Sequence, residues 1–272
     1  MNLLNYRANK YTSIGNDGII EKIFDTINIS KGSFIEFGAW DGVHGCNCRK
    51  LVEQDWDGVF IEPVLSRYLK LKWNYRNVSQ VSKIWSRVDP TGPLSLDNIV
   101  SNKGKQYDFI SIDIDGLDIA VFEGIQSTLP KVFCIEGGQM LEPFSDRVPE
   151  KIEKKNIQQS LKVISDIASE KGYKVICSYQ DTFLVKNEYS NLFPVDDNLR
   201  KLYYEGLKSS HRRLPWIQYM LSRVGLKNRI VDQILKDSEF SAYGFENREK
   251  WANNVSNLIV DIIDEVYTRL DI

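Results

Sequence analysis

Between residues 17 and 186, short β-branched and aromatic runs alternate with stretches whose apolar positions recur every three or four residues. This is the pattern of a parallel sheet covered by helices on both faces. Seven runs read as strands: SFIEF (33–37), GVFIE (58–62), SQVSKI (79–84), DFISID (108–113), KVFCIE (131–136), YKVICS (173–178) and TFLVK (182–186). Several are almost wholly apolar, as strands covered on two faces must be, and the first, second, fourth and fifth are expected at the buried centre. Only two or three polar residues around Gln180 and Asp181 separate the last two runs. That is too short for a crossover, so the pair is antiparallel and the sheet is mostly parallel with one reversed strand at or near its end.

The helical segments carry their own punctuation. DGIIEKIFDTI places Ile19, Ile20, Ile23, Phe24 and Ile27 on one face, with Asn16 or Asp17 available as N-cap. NIQQSLKVISDIASEKG places Leu161, Ile164 and Ile167 on one face and closes on Gly172. From about Val195 the strand signal stops. Helices are predicted over 196–210 and 215–237, joined near Pro215 and Gly225, and a long amphipathic helix runs from Trp251 to Leu270. The expected organisation is therefore an α/β domain over 1–193 and a helical extension over 194–272, acting as a lid or as the contact of a homo-oligomer.

Composition is that of an ordinary globular chain, 42% hydrophobic and 26% charged, which disfavours disorder and disulfide scaffolds. With 35 Lys+Arg against 37 Asp+Glu the net charge is -2, so no global field gathers polyanions and a nucleic-acid partner is not expected. No apolar run reaches the length of a membrane span and the first residues do not read as a signal peptide, so a cytoplasmic location is expected. Cys46, Cys48, Cys134 and Cys177 lack the spacing of a zinc site and read as reduced, buried thiols.

The chemistry concentrates after the first strand. FIEFGAWDGVHG ends a strand with Glu36 and follows it with Gly38 and Gly42 before a helix near Asn47 to Asp55, a bend at which a ligand can approach the main chain. Twenty residues past Gly42 the second strand ends in Glu62, placed to hydrogen-bond the hydroxyls of an adenosine ribose. The pattern ExGxxxG, with Asp41 inside the turn, differs from the GxGxxG of dinucleotide sites. Its carboxylates would repel a pyrophosphate but suit a ligand bearing an ammonium and a sulfonium, which is the description of S-adenosylmethionine.

At this point the chain resembles the FkbM-type S-adenosylmethionine-dependent methyltransferases. The resembling segments are YTSIGNDGIIEKIF (11–24), FIEFGAWDGVHGCNCRKL (34–51), DWDGVFIEP (55–63), DFISIDIDGLDIAVFEGI (108–125), KVFCIEGG (131–138) and EKGYKVICSYQDTFLVKNE (170–188), in the family's order. The resemblance implies a Rossmann-like class I methyltransferase fold, seven strands with an antiparallel last hairpin, and O-methylation of a sugar, glycan or other small molecule. It implies that Glu36, Gly38, Asp41 and Gly42 line the methionine end of the donor, that Glu62 meets its ribose, and that Asp17 and Asn47 belong to the same site. Cys46-Asn47-Cys48 stands where relatives commonly carry Ser-Asn-Thr, and 137–156 departs from their usual tyrosine and asparagine.

Methyl transfer needs alignment of donor and acceptor and a base for the acceptor's proton. Asp113 and Asp115, at the end of the fourth strand, and His44, on the glycine bend, are the candidate catalytic residues, with Glu136 behind them. Asp113 and Asp115 converging would either share a proton or hold a divalent cation, completed by Glu136 or Asp118; Asp118 reads more simply as a helix N-cap. His211, Arg212 and Arg213 form a basic cluster that could meet a phosphate, and Trp40, Trp85 and Trp216 could form a sugar-stacking wall, with core packing the default for each. Two other readings stay open: a donor-binding scaffold without turnover that assembles through its helical tail, and an NAD-dependent oxidoreductase, which the missing GxGxxG disfavours.

Overall fold

All seven strand runs pair into one sheet, β1 (Ser33–Phe37), β2 (Asp57–Glu62), β3 (Val81–Trp85), β4 (Phe109–Ile112), β5 (Val132–Glu136), β6 (Tyr173–Ser178) and β7 (Asp181–Lys186), in the order β3-β2-β1-β4-β5-β7-β6. These positions come from a computed structural model that describes residues 1–101, 105–139, 143–154, 158–195 and 197–209. The pairs β1–β2, β1–β4, β2–β3 and β4–β5 are parallel, whereas β7 is antiparallel to both neighbours. The strand order reverses between β1 and β4, and ligands of open α/β sheets bind outside the carboxyl ends of the strands at such a point. This is the Rossmann-like arrangement of class I methyltransferases, with the reversed strand one place in from the edge. β7 joins the expected four in the buried centre because β6, not β7, forms the edge.

The period of two in the strands divides the core into two layers. One face carries Ile35, Phe37, Ile61, Ile110, Ile112 and Phe133. It is covered by α4 (Leu96–Val100), α5 (Asp118–Gly124), α7 (Leu161–Glu170) and α8 (Leu199–Ser209). The other face carries Phe34, Phe60, Phe109, Val132 and Phe183 beneath α1 (Asn16–Thr26), α2 (Arg49–Glu53) and α3 (Leu65–Asn74). Phe24 stands edge-on to Trp56 at 4.6 Å and to Phe109 at 5.7 Å, locking α1 to the sheet. Ring pairs of this geometry add about 0.5–1.5 kcal/mol each beyond the area they bury.

Several helix ends differ from expectation. Neither Asn16 nor Asp17 caps α1: Gly15, at φ 100°, holds that position and both polar residues lie inside the helix with their side chains turned to other partners. Asp118 likewise is the first residue of α5, with left-handed Leu117 before it. α7 starts later in its segment than expected, with Ser160 as N-cap accepting from the Val163 amide, and Lys171 rather than Gly172 holds the C-cap, Gly172 following at φ 79°. A further one-turn helix, α6 (Glu150–Glu153), lies in the segment whose sequence departs from the resembling family.

α8 falls within the predicted 196–210 helix. The helices expected over 215–237 and 251–270, with His211, Arg212, Arg213 and Trp216, lie outside the described residues. All four cysteines are buried and free. Among the described residues no helix is long and apolar enough to cross a membrane.

Candidate active site

The chain leaves β1 through a bend pressed against its own neighbours. A Cβ on Gly38, at φ 78°, would lie 1.5 Å from the carbonyl oxygen of Asp113, and one on Gly42, at φ 72°, would lie 2.5 Å from the Tyr75 ring and 2.6 Å from Leu71. The glycines are thus required by the packing of the bend against the segment that follows β4 and against α3. Beneath the bend, Glu36 is buried with Oε1 accepting from the Asn47 amide at 3.0 Å, and Oε2 from the Cys48 amide at 2.9 Å and the Cys46 thiol at 3.0 Å. Burial pushes its carboxyl above the usual range, against these hydrogen bonds. In this structure Glu36 holds the bend; it does not line open space.

Asn47 is committed in the same way. Its Oδ1 accepts from Asn16 Nδ2 at 2.8 Å, and its Nδ2 donates to Ser111 Oγ at 2.9 Å. Asn16 also donates to Asp181 Oδ2 at 2.5 Å and accepts from the Tyr179 hydroxyl. A buried polar chain therefore runs from the bend across β4 and β5 to the reversed strand. Asp17 serves a neighbouring turn: its Oδ2 accepts from the amides of Lys10, Tyr11 and Thr12, each at 2.8 Å, while its buried Oδ1 has no partner among the described residues.

On the opposite flank, Glu62 ends β2. It is 1% exposed, with Oε2 accepting from the Trp40 amide at 2.9 Å and Oε1 from the Val64 amide at 2.8 Å. Asp41 Oδ1 accepts from the amides of Val43 and His44, both at 2.9 Å, and Oδ2 meets His44 Nδ1 at 2.7 Å. Burial acts to raise the Asp41 pKa, but these bonds outweigh it and hold the carboxylate below its ordinary range. The His44 side chain is otherwise largely in solvent.

Between the flanks, β4 and β5 bring acids together. One oxygen each of Asp113, Asp115 and Glu136 lies within 4.8 Å of the others. β4 ends at Ile112, so the expected shared strand face does not reach Asp115; a left-handed turn at Asp115, φ 57°, makes the convergence instead. Burial raises the Asp113 pKa well above the usual range, with repulsion from Glu136, Asp181, Asp118 and Asp115 adding to it. Burial, then Asp118, Asp181 and Asp115, push Glu136 up to about 8. Crowded carboxyls of this kind retain a proton between them at neutral pH. Asp118 completes no cation site: its two oxygens accept from the amides of Ile114 at 2.8 Å and Gly116 at 2.9 Å, pinning the loop. Burial still raises it to about 6.

The structure therefore gathers Glu62, Asp41, His44, Asp113, Asp115 and Glu136 along one edge, with Glu36, Asn47 and Asp17 beneath or beside it. Asp181, Asn16, Tyr179 and Ser111 join the site although no sequence motif marks them as functional. Asp181 had one available signal, since the first residue of a reversed strand lies at the carboxyl edge of its parallel neighbours. Trp40 and Trp85 are exposed, contrary to the core default: Trp40 faces Arg67 and Trp85 stacks on Tyr68, while Trp216 lies outside the described residues.

No protein-family model matches the chain. No curated protein matches it. Among solved structures, the chain is similar to a Staphylococcus aureus protein assigned as a caffeoyl-CoA O-methyltransferase, with 16% identity, 67% of this chain and 87% of that one covered, and a TM-score of 0.45. It is also similar to a Galdieria sulphuraria protein assigned as a sarcosine dimethylglycine methyltransferase, with 14% identity, 71% and 68% covered, and a TM-score of 0.43. A SAM-dependent methyltransferase from Aquifex aeolicus shares 15% identity, with 61% and 86% covered and a TM-score of 0.39. The fold assignment itself rests on strand order, direction and register.

Proposed function

We propose that this chain is an S-adenosylmethionine-dependent O-methyltransferase of the FkbM type, acting on a hydroxyl of a sugar, glycan or related small molecule. The observation that carries the reading is the distribution of acids about the switch point: Glu62 ends β2 on one side of β1, while on the other Asp113 directly follows β4 and Glu136 ends β5. An acidic edge favours a sulfonium and an ammonium over a pyrophosphate, which also argues against the NAD reading.

When bound, the donor supplies an electrophilic methyl carbon on sulfur. Glu62 binds the ribose hydroxyls once the Trp40 amide gives way, and Asp41 with the bend faces the methionine end. Glu36, Asn47 and Asp17 are positioning residues that fix the bend and the N-terminal turn. The Asp113–Glu136 pair takes the proton of the acceptor hydroxyl as the new C–O bond replaces the C–S bond; Glu136 Oε2, buried and without a hydrogen-bond partner among the described residues, is an available acceptor atom.

Isothermal calorimetry with S-adenosylmethionine tests the site. Binding is expected, and Glu62→Ala should weaken it at least about ten-fold through loss of two charge-assisted hydrogen bonds. Unchanged affinity in that variant overturns the assignment. Incubation with methyl-labelled donor and a panel of glycans separates turnover from a donor-binding scaffold.

A further inference from the structure

α3 carries its apolar side chains on the wrong side for core packing. Leu71 and Tyr75 point into the protein, whereas Leu65, Leu69 and Trp73, spaced i, i+4 and i+8, form a stripe on the opposite side. Leu69 is 55% and Trp73 66% exposed. The stripe widens at its N-terminal end. Trp85, 57% exposed on edge strand β3, stacks on Tyr68 at 6.4 Å and donates its Nε1–H to the Pro63 carbonyl at 2.9 Å. Trp40, on the bend, lies 5.6 Å from the Arg67 guanidinium.

Positive charge surrounds the stripe, with Lys70 and Lys72 flanking it and Arg67 farther round the helix beside Trp40. The sequence between Glu62 and Asp89 contains Arg67, Lys70, Lys72, Arg76, Lys83 and Arg87 and no acid. Arg67, Lys70, Lys72 and Arg76 are exposed and pair with no carboxylate among the described residues. A chain of net charge -2 therefore concentrates positive charge where it also exposes three aromatic and several aliphatic side chains.

We infer that α3, with Trp40 and Trp85, docks the protein onto an anionic lipid surface. Apolar side chains enter the headgroup–acyl boundary while lysines and arginines meet the lipid phosphates, and Trp prefers that boundary. A second copy is disfavoured because a twofold contact would set the basic face against itself. Nucleic acid would satisfy the basic residues but leave Leu65 and Leu69 without a counterpart. The inference is independent of the methyl-transfer reading. It places the bend, through Trp40, at the membrane plane.

Co-sedimentation of the full chain with extruded vesicles tests it. Binding is expected to phosphatidylcholine–phosphatidylglycerol vesicles, with a blue shift in Trp emission, and to be weak to phosphatidylcholine alone and reduced by salt. Leu69→Glu with Trp73→Glu should lower partitioning about ten-fold or more while circular dichroism stays unchanged, since both side chains are exposed. Lys70→Glu with Lys72→Glu should abolish the preference for anionic vesicles. No pelleting with anionic vesicles, or binding unchanged in the Leu69/Trp73 variant, overturns the inference. So does light scattering that shows a dimer dispersed by that variant, or an RNA oligonucleotide that binds the face in preference to vesicles.

Discussion

Asp181 begins the reversed strand directly opposite Glu136, the last residue of β5, so a strand running the other way delivers a carboxylate to the edge where the parallel strands end theirs. Asp113 approaches the same point from β4, and both Asp181 and Asp113 act on Glu136. Reversal of one strand thus concentrates negative charge at the proposed site of proton removal.

The pH dependence of stability follows from that crowding. Burial first, then the repelling carboxylates, hold the Glu136 proton until about pH 8, against an ordinary value of 4.5. Between those values the folded chain binds more protons than the unfolded one, so stability is greatest at the lower end and falls as pH rises through the window. Glu136→Gln should flatten that fall and raise stability near pH 8 by about 1–3 kcal/mol, less than the full shift because the residue is partly solvated. Urea denaturation across the window measures this; parallel profiles for parent and variant would contradict it. In the methyl-transfer reading, kcat/KM climbs through about pH 8 in the parent and loses that limb in the variant.

The bend supplies a paired comparison. Gly38 and Gly45 both have positive φ, 78° and 71°, but a Cβ on Gly45 meets nothing within 4 Å whereas one on Gly38 runs into the Asp113 carbonyl. Gly45→Ala should therefore cost only the left-handed backbone penalty, about 1–2 kcal/mol. Gly38→Ala must also separate the bend from β4, for a total of about 3 kcal/mol or more. Equal losses in thermal unfolding would show that Gly38 packs on β4 less tightly than its geometry indicates.

Why the sheet was readable and the site only partly so can be seen in single residues. Ile35, Ile61 and Ile110 carry strand periodicity in their own segments, and burial on both faces makes the signal continuous, so each strand was found to within about two residues. The acids at the strand ends were visible because strand direction fixes which end faces the ligand. What Glu36 and Asn47 touch was not visible: their partners, Cys48 and Asn47 for one, Asn16 and Ser111 for the other, meet only when the bend folds back beneath itself and over β4. The exposure of Trp73 is equally hidden, because apolar spacing at i and i+4 marks a helix face without saying whether that face meets the core.

Asn47 should behave as a core polar hub. Its amide serves Asn16 and Ser111 at once, and Asn16, Asn47 and Ser111 are all buried. Asn47→Ala is expected to destabilise by about 2–3 kcal/mol through two abandoned partners. Asn47→Asp adds a negative charge to a layer that already holds Glu36 and Asp181, so its penalty should grow as pH rises and the new carboxyl ionises. Equilibrium unfolding at acid and neutral pH distinguishes the two; an Asp variant as stable as the parent at neutral pH would show that water reaches this layer.

The acid cluster poses a choice between a shared proton and a bound cation, and the hydrogen bonds decide how it should resolve. A hard divalent ion takes about six to eight oxygen ligands. Asp113, Asp115 and Glu136 offer three converging carboxylates, and the next acid, Asp118, has both oxygens engaged by the amides of Ile114 and Gly116. The expected outcome is that methyl transfer survives chelator and added Mg²⁺ within about two-fold, because a shared proton rather than a metal relieves the repulsion. Asp115→Asn then separates the alternatives by direction. Removing one repelling charge lets Glu136 ionise more readily, so the rising limb of kcat/KM should move to lower pH with the maximum rate retained. If the cluster instead held a cation, the same change would delete a ligand, and activity would fall at every pH and recover in part with excess metal.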